Sequence, residues 1–167
     1  MKRSSFADME CPIARALDIL GDGWTLLILR DALLGFRCFG EFEERLGIAP
    51  TTLTRKLDQL VEDGLLDRVR YTERPPRHEY VLTDKGRELY SVMVAIGAWS
   101  NRWLAGRGAE VLVMVDAESG KRVDPILVDA STEKRIAPGS VRLEAGPKAS
   151  ARLKKALVAR PVTLGEK

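Results

Sequence analysis

The chain has 167 residues, 45% hydrophobic and 31% charged, which fits one domain with a small appendage and excludes wholesale disorder. Its net charge of +3 is unevenly placed: residues 1–104 carry 15 basic and 16 acidic side chains, residues 105–167 carry 12 and 8, so a nucleic-acid surface in the first part has to be a local patch on a slightly acidic body. No apolar run approaches the roughly 18 residues of a membrane helix, and Lys2 and Arg3 lead into Ser4, Asp8 and Glu10 instead of an apolar stretch, so a cytoplasmic chain without a membrane partner is expected.

Pro12 suits the first position of a helix, where its missing donor would be unpaired anyway, and Ile13, Ala16, Leu17 and Leu20 follow with helical spacing. Asp22 can cap a second helix from Trp24 to about Leu34. That helix is apolar on nearly every side, as a buried central helix should be, and Gly35 ends it. Phe39, Phe42, Leu46 and Ile48 mark a short third helix stopped by Gly47. Pro50 and Thr51 open a fourth, with Leu53, Leu57, Leu60 and Val61 on one side and Gly64 at its end.

The period then changes to two. Leu66–Tyr71 and Glu79–Leu82 read as paired strands around a turn, Thr72–Arg77, stiffened by Pro75 and Pro76. Thr83 and Asp84 cap one long helix from about Asp84 to Leu104, with an apolar stripe of Leu89, Val92, Met93, Ile96, Trp99 and Trp103. Arg107-Gly108 marks a boundary between a domain of residues 1–106 and an extension of residues 107–167. In the extension Val111–Val115 is a strand, and Val115–Val123 recurs as Val128–Ile136, two small hairpins or turns of one shape. Val141–Glu144 is a further strand and Pro147–Val158 a basic helical tail.

This order is that of a winged helix-turn-helix, α+β in class, with a long C-terminal dimerisation helix and a small β-rich extension. On the helix of residues 50–63 the face opposite the leucines holds Thr51, Arg55, Asp58 and Glu62, flanked by Thr52, Lys56 and Gln59. Arginine bonds guanine bidentately, glutamine bonds adenine, and a threonine methyl packs on thymine. Thr51, Thr52, Thr54, Arg55, Lys56 and Gln59 are therefore the expected DNA-reading residues. Arg70, Arg74 and Arg77 of the wing, residues 66–82, are the expected phosphate or minor-groove contacts. Double-stranded DNA is the expected partner.

Three sets of residues carry a resemblance to a known family. The first runs from Cys11-Pro12 through Gly23-Trp24-Thr25-Leu26-Leu27 to Arg37-Cys38-Phe39-Gly40-Glu41-Phe42. The second is Thr51-Thr52-Leu53-Thr54-Arg55-Lys56-Leu57 with Glu62-Asp63-Gly64-Leu65. The third is Arg74-Pro75-Pro76-Arg77-His78-Glu79-Tyr80 with Leu82-Thr83-Asp84-Lys85-Gly86. Over about residues 10–104 the chain resembles the HxlR-type subgroup of MarR-like bacterial transcription regulators. The resemblance implies a DNA-binding homodimer joined through its first and last helices, here Ile13, Leu17, Met93, Ile96, Trp99 and Trp103. It also marks Cys11, at a helix N-terminus, as a redox-sensing candidate: a helix dipole favours a thiolate, while Asp8 and Glu10 oppose it and a purely structural role for a small buried residue fits the position equally well.

Some relatives carry paired-cysteine turns in an extension like this one. Here Asp116, Ser119, Asp129 and Thr132 stand at the turns, and these are poor zinc ligands, so no metal and no cofactor are expected. One histidine and two cysteines, with no carboxylate pair or phosphate loop, exclude the common catalytic constellations, and no enzyme is expected. A winged helix used for protein interaction, or an extension that receives a small-molecule or oxidant effector, remains open beside DNA recognition.

Overall fold

In the computed structural model, which describes residues 5–74, 76–106 and 108–165, the chain divides into two compact units, residues 1–99 and 100–167. Pro75 of the expected turn and Arg107 of the expected boundary lie outside the described residues.

The first unit opens with α1, Pro12–Leu20, and α2, Gly23–Leu33. Asp22 caps α2 by accepting from the Thr25 amide at 3.2 Å. Then come α3, Phe39–Leu46, closed by the left-handed Gly47 (φ 60°), and α4, Pro50–Glu62, with proline at its start. Ile28, Leu29, Phe42, Leu53, Leu57, Leu60 and Leu66 are fully or almost fully buried and form one core, into which Ile19, Leu20, Leu89 and Met93 also pack.

Strands β1, Leu66–Glu73, and β2, Pro76–Leu82, form the antiparallel wing, with Leu66 opposite Leu82, Arg68 opposite Tyr80 and Arg70 opposite His78. The register slips between Arg70 and Thr72, leaving Tyr71 as a bulge. The Tyr80 amide donates to the Arg37 carbonyl at 2.8 Å, and Cys38 bridges Glu79. The segment before α3 thus extends the ribbon, an association with no local sequence signal.

The single helix expected over 84–104 is interrupted. It forms α5, Asp84–Arg87, and α6, Tyr90–Trp103, separated by a turn at Glu88 and Leu89. The Leu89 amide bonds the Gly86 carbonyl, a tightened turn that takes Leu89 into the core while Tyr90 stays exposed. Thr83 fixes the start of α5 by accepting from the Gly86 amide and donating to the Gly64 carbonyl at 2.7 Å.

The second unit begins within α6, and none of its described residues is fully buried. The expected strand over 111–115 is not formed. Only Val115 bridges, to Arg122, as Val128 does to Arg135. The two repeats nevertheless share one backbone pattern. The Asp116 amide bonds the Lys121 carbonyl as Asp129 bonds Lys134, and Val123 bonds Met114 as Ile136 bonds Leu127. Gly120 (φ 66°) and Glu133 (φ 55°) occupy the same left-handed position. The expected strand over 141–144 shortens to β3, Arg142–Leu143, paired with β4, Val162–Thr163, a partner that no sequence pattern marks. Between them lies α7, Ala151–Ala159, capped by Ser150.

Candidate nucleic-acid interface

Burial fixes which face of α4 is available. Leu53, Leu57 and Leu60 enter the core, and Thr51, Thr54, Arg55, Asp58 and Gln59 are exposed on the other side. Arg55 makes no ion pair among the described residues. The Thr54 hydroxyl donates to the Pro50 carbonyl at 2.9 Å, so it is satisfied within the helix.

Lys56 sits apart from this group. Its ammonium lies 3.0 Å from Asp22 Oδ1, and its side chain is only 12% exposed. Burial raises the Asp22 carboxyl, but the bond from Lys56, the Thr25 amide and the Lys56 charge outweigh it and hold the group below the usual carboxylate range. Lys56 therefore joins α4 to the cap of α2, and Thr52 beside it is half-buried.

α3 is tied to α2 through a buried charge that the expected site residues do not include. Asp31 on α2 is fully buried and accepts from Arg45 Nε of α3 at 3.1 Å and from Arg30 Nε at 2.9 Å. The Arg45 guanidinium also lies over the Phe36 ring, 3.8 Å from its centre. The available signal was an aspartate inside an apolar helix, which needs cationic partners to be buried at all. At the start of α3, Glu41 accepts from the Arg37 and Cys38 amides at 2.9 and 2.7 Å, and these bonds hold its carboxyl below the usual range. Partial burial, then the charges of Glu41 and Glu79, pushes the Cys38 thiol up.

The wing carries Arg70, Arg74 and Arg77, all exposed. Arg70 lies 3.4 Å from Glu73, and Arg74 and Arg77 have no ion-pair partner among the described residues. α4 and the wing thus present cationic and hydroxyl side chains, with Asp58 and Glu73 among them, on a body of mixed charge.

The expected dimer residues divide into two groups. Met93 packs against the core. Ile13 and Leu17 on α1 and Ile96, Trp99 and Trp103 on α6 are exposed, between 45% and 68%, and each set recurs at helical spacing. Cys11 is half-buried at the N-cap of α1, where its side chain makes no capping bond.

Within the extension, Asp116 accepts from the Ser119 amide and hydroxyl at 2.8 and 2.7 Å. Asp129 accepts from the hydroxyls and amides of Ser131 and Thr132. These bonds, led by the Ser131 hydroxyl, hold Asp129 at about 2. The turns are closed by their own side chains.

The HxlR-like helix-turn-helix family matches residues 19–107. An uncharacterized HTH-type transcriptional regulator of Mycobacterium tuberculosis is 39% identical over 141 residues, covering 84% of this chain and 89% of that one. A candidate transcription factor from Pseudomonas aeruginosa, PA1374, is 42% identical with a TM-score of 0.64, covering 88% of this chain and all of that one. The redox regulator HypR in its oxidized form is 31% identical with a TM-score of 0.51, covering 55% of this chain and 96% of that one.

Proposed function

Because the chain belongs to the HxlR-like helix-turn-helix family, and is thus a DNA-binding transcriptional regulator, we propose that it binds a near-palindromic operator as a homodimer. Helix α4 enters the major groove, with Thr51, Arg55 and Gln59 at the base edges and Thr52 and Thr54 beside the backbone. Lys56 acts by holding α4 on α2. Arg70, Arg74 and Arg77 bring the wing onto flanking phosphates. Ile13 and Leu17 of α1 with Ile96, Trp99 and Trp103 of α6 form the seam between protomers. The domain of residues 1–106 carries binding and dimerisation.

The observation that carries this reading is the exposed Arg55 on the face of α4 opposite the core, beside Arg74 and Arg77 of the wing, all three without an ion-pair partner among the described residues. The test is selection of bound duplexes from a random-sequence pool by the full chain. The expected product has two inverted half-sites with centres about 10–10.5 bp apart or a multiple. Its affinity should fall steeply with salt as counterions leave the phosphates. A pool with no enrichment would turn the reading toward a winged helix that binds an acidic protein.

A second reading concerns control. Cys11, half-buried and without a capping bond, is the redox-sensing candidate, and the likeness to HypR supports it. Diamide should weaken DNA binding of the wild type and spare Cys11→Ser. Equal loss in both would remove Cys11 from the account. If the extension is instead an effector domain, truncation near residue 107 should abolish the response to effector while DNA binding persists.

A further inference from the structure

A cleft of about 750 Å3 opens between the first turn of α3, Thr54 of α4 and the inner side of the wing. Strand alternation explains what faces it. Tyr80 is buried, so His78, two residues back on β2, lies on the same side of the ribbon. The register places Arg68 opposite Tyr80 and Arg70 opposite His78, and Arg68 Nη1 lies 4.0 Å from Asp58 of α4. Arg68, Tyr71 and His78 thus line the wing wall of the cleft. His78 is half-buried and no carboxylate pairs with it among the described residues.

A helix in the major groove and a ribbon in the adjoining minor groove straddle a single strand, because one sugar-phosphate backbone separates the two grooves. The space between α4 and the wing is where that backbone has to pass. We propose that this cleft seats the strand between the grooves, with a backbone phosphate against Arg68 and His78, and that operator binding takes up a proton from water onto the His78 imidazole. The proposal rests on the assignment of α4 and the wing to DNA.

The charges around His78 favour such a coupling. Arg68 and Arg70 approach it from β1, Arg77 and Glu79 flank it on β2, Cys38, Glu41 and Glu44 stand on the α3 wall, and Asp58 reaches Arg68 from α4. Glu41 is committed to the Arg37 and Cys38 amides, and Glu79 lies 4.0 Å from Arg37. In the free protein, partial burial and then the charges of Arg68 and Arg70 lower His78 from its ordinary value, so it is mostly neutral near neutral pH. A phosphate supplies the missing negative charge and an acceptor, which favours the charged ring. No other histidine exists in the chain to confuse the readout.

The experiment measures the affinity of the full chain for a duplex selected from a random pool, between about pH 5.5 and pH 8 at fixed salt. Wild-type affinity should fall about tenfold per protomer as pH rises across that range, because the bound imidazole keeps a proton that the free one has lost. His78→Gln should bind with a flat profile near the high-pH affinity of the wild type. Arg68→Gln should bind the same duplex with a salt slope smaller by about 1. The same pH slope in wild type and His78→Gln, with DNA binding intact, would overturn the proposal and leave the DNA reading standing. Failure to retain any duplex would overturn both.

Discussion

Lys56 Nζ of the fourth helix lies 3.0 Å from Asp22 Oδ1, the carboxylate that caps the second helix. The same oxygen accepts from the Thr25 amide, so one carboxylate terminates α2 and anchors α4. Lys56→Met should therefore cost stability, about 1 kcal/mol, at the low end for a charge-assisted bond because Asp22 is 31% exposed. Urea unfolding at constant m-value reads this loss. The salt slope of DNA binding should change by less than one, whereas a full unit would make Lys56 a phosphate contact.

Arg55 faces outward without an acidic partner among the described residues. Arg55→Ala should weaken binding to the selected duplex by about 1–3 kcal/mol and to a scrambled duplex by less. Equal losses on both would make Arg55 a backbone contact. Fluorescence anisotropy on the two duplexes separates these cases.

Arg74 and Arg77 lie on the wing and read no base edge in the proposed arrangement. Each alanine variant should weaken all duplexes to a similar degree and lower the salt slope by about 1. A loss confined to the selected site would place the side chain in a sequence-reading role.

Gly86 is wedged under the loop that joins α4 to the wing. A Cβ there would stand 2.2 Å from the Leu65 carbonyl oxygen and 2.9 Å from Leu82 Cδ2. Backbone cannot give way cheaply, so Gly86→Ala should destabilise the first unit by about 1–3 kcal/mol. Gly97 is the control, because a Cβ added there would meet nothing within 4 Å. Gly97→Ala should leave the melting temperature unchanged or raised.

Asp129 is held at about 2 by the Ser131 hydroxyl and its companion bonds. A carboxyl lowered in the folded state contributes stability above its unfolded value, near 4, and loses it as pH falls through the folded value. The turn at residues 129–134 should therefore keep its full stability down to about pH 4, lose it gradually below that, and be half-titrated only near pH 2. The Ser131 and Thr132 amide shifts should titrate with a midpoint near 2. A midpoint in the ordinary carboxylate range would mean that the turn is open in solution.

Much of the first unit was legible in its residue order. Pro12, Pro50, Gly47 and Gly64 set helix ends through backbone conformation, which is a local property. The leucines of α4 fixed its buried side, and with it the outward position of Arg55 and Gln59. The thirteen-residue repeat in the extension showed that two turns share a shape, because their Asp, Ser and Thr side chains close them from within.

What stayed hidden depends on partners distant in the chain. Helical projection put Lys56 on the flank of the reading face, and Asp22 drew it inward across the unit. Arg45 meets Asp31 and the Arg37 segment meets Tyr80 only after the helices have packed. The long helix breaks at Leu89, where core burial outweighs the regular period. His78 shows no site pattern as a lone histidine, and it reaches a cleft because the wing register sets it beside Arg68 and across from α3. Local chemistry ends and caps a helix within a few residues, while the direction of a long charged side chain is chosen by whichever opposite charge the fold brings within about 4 Å.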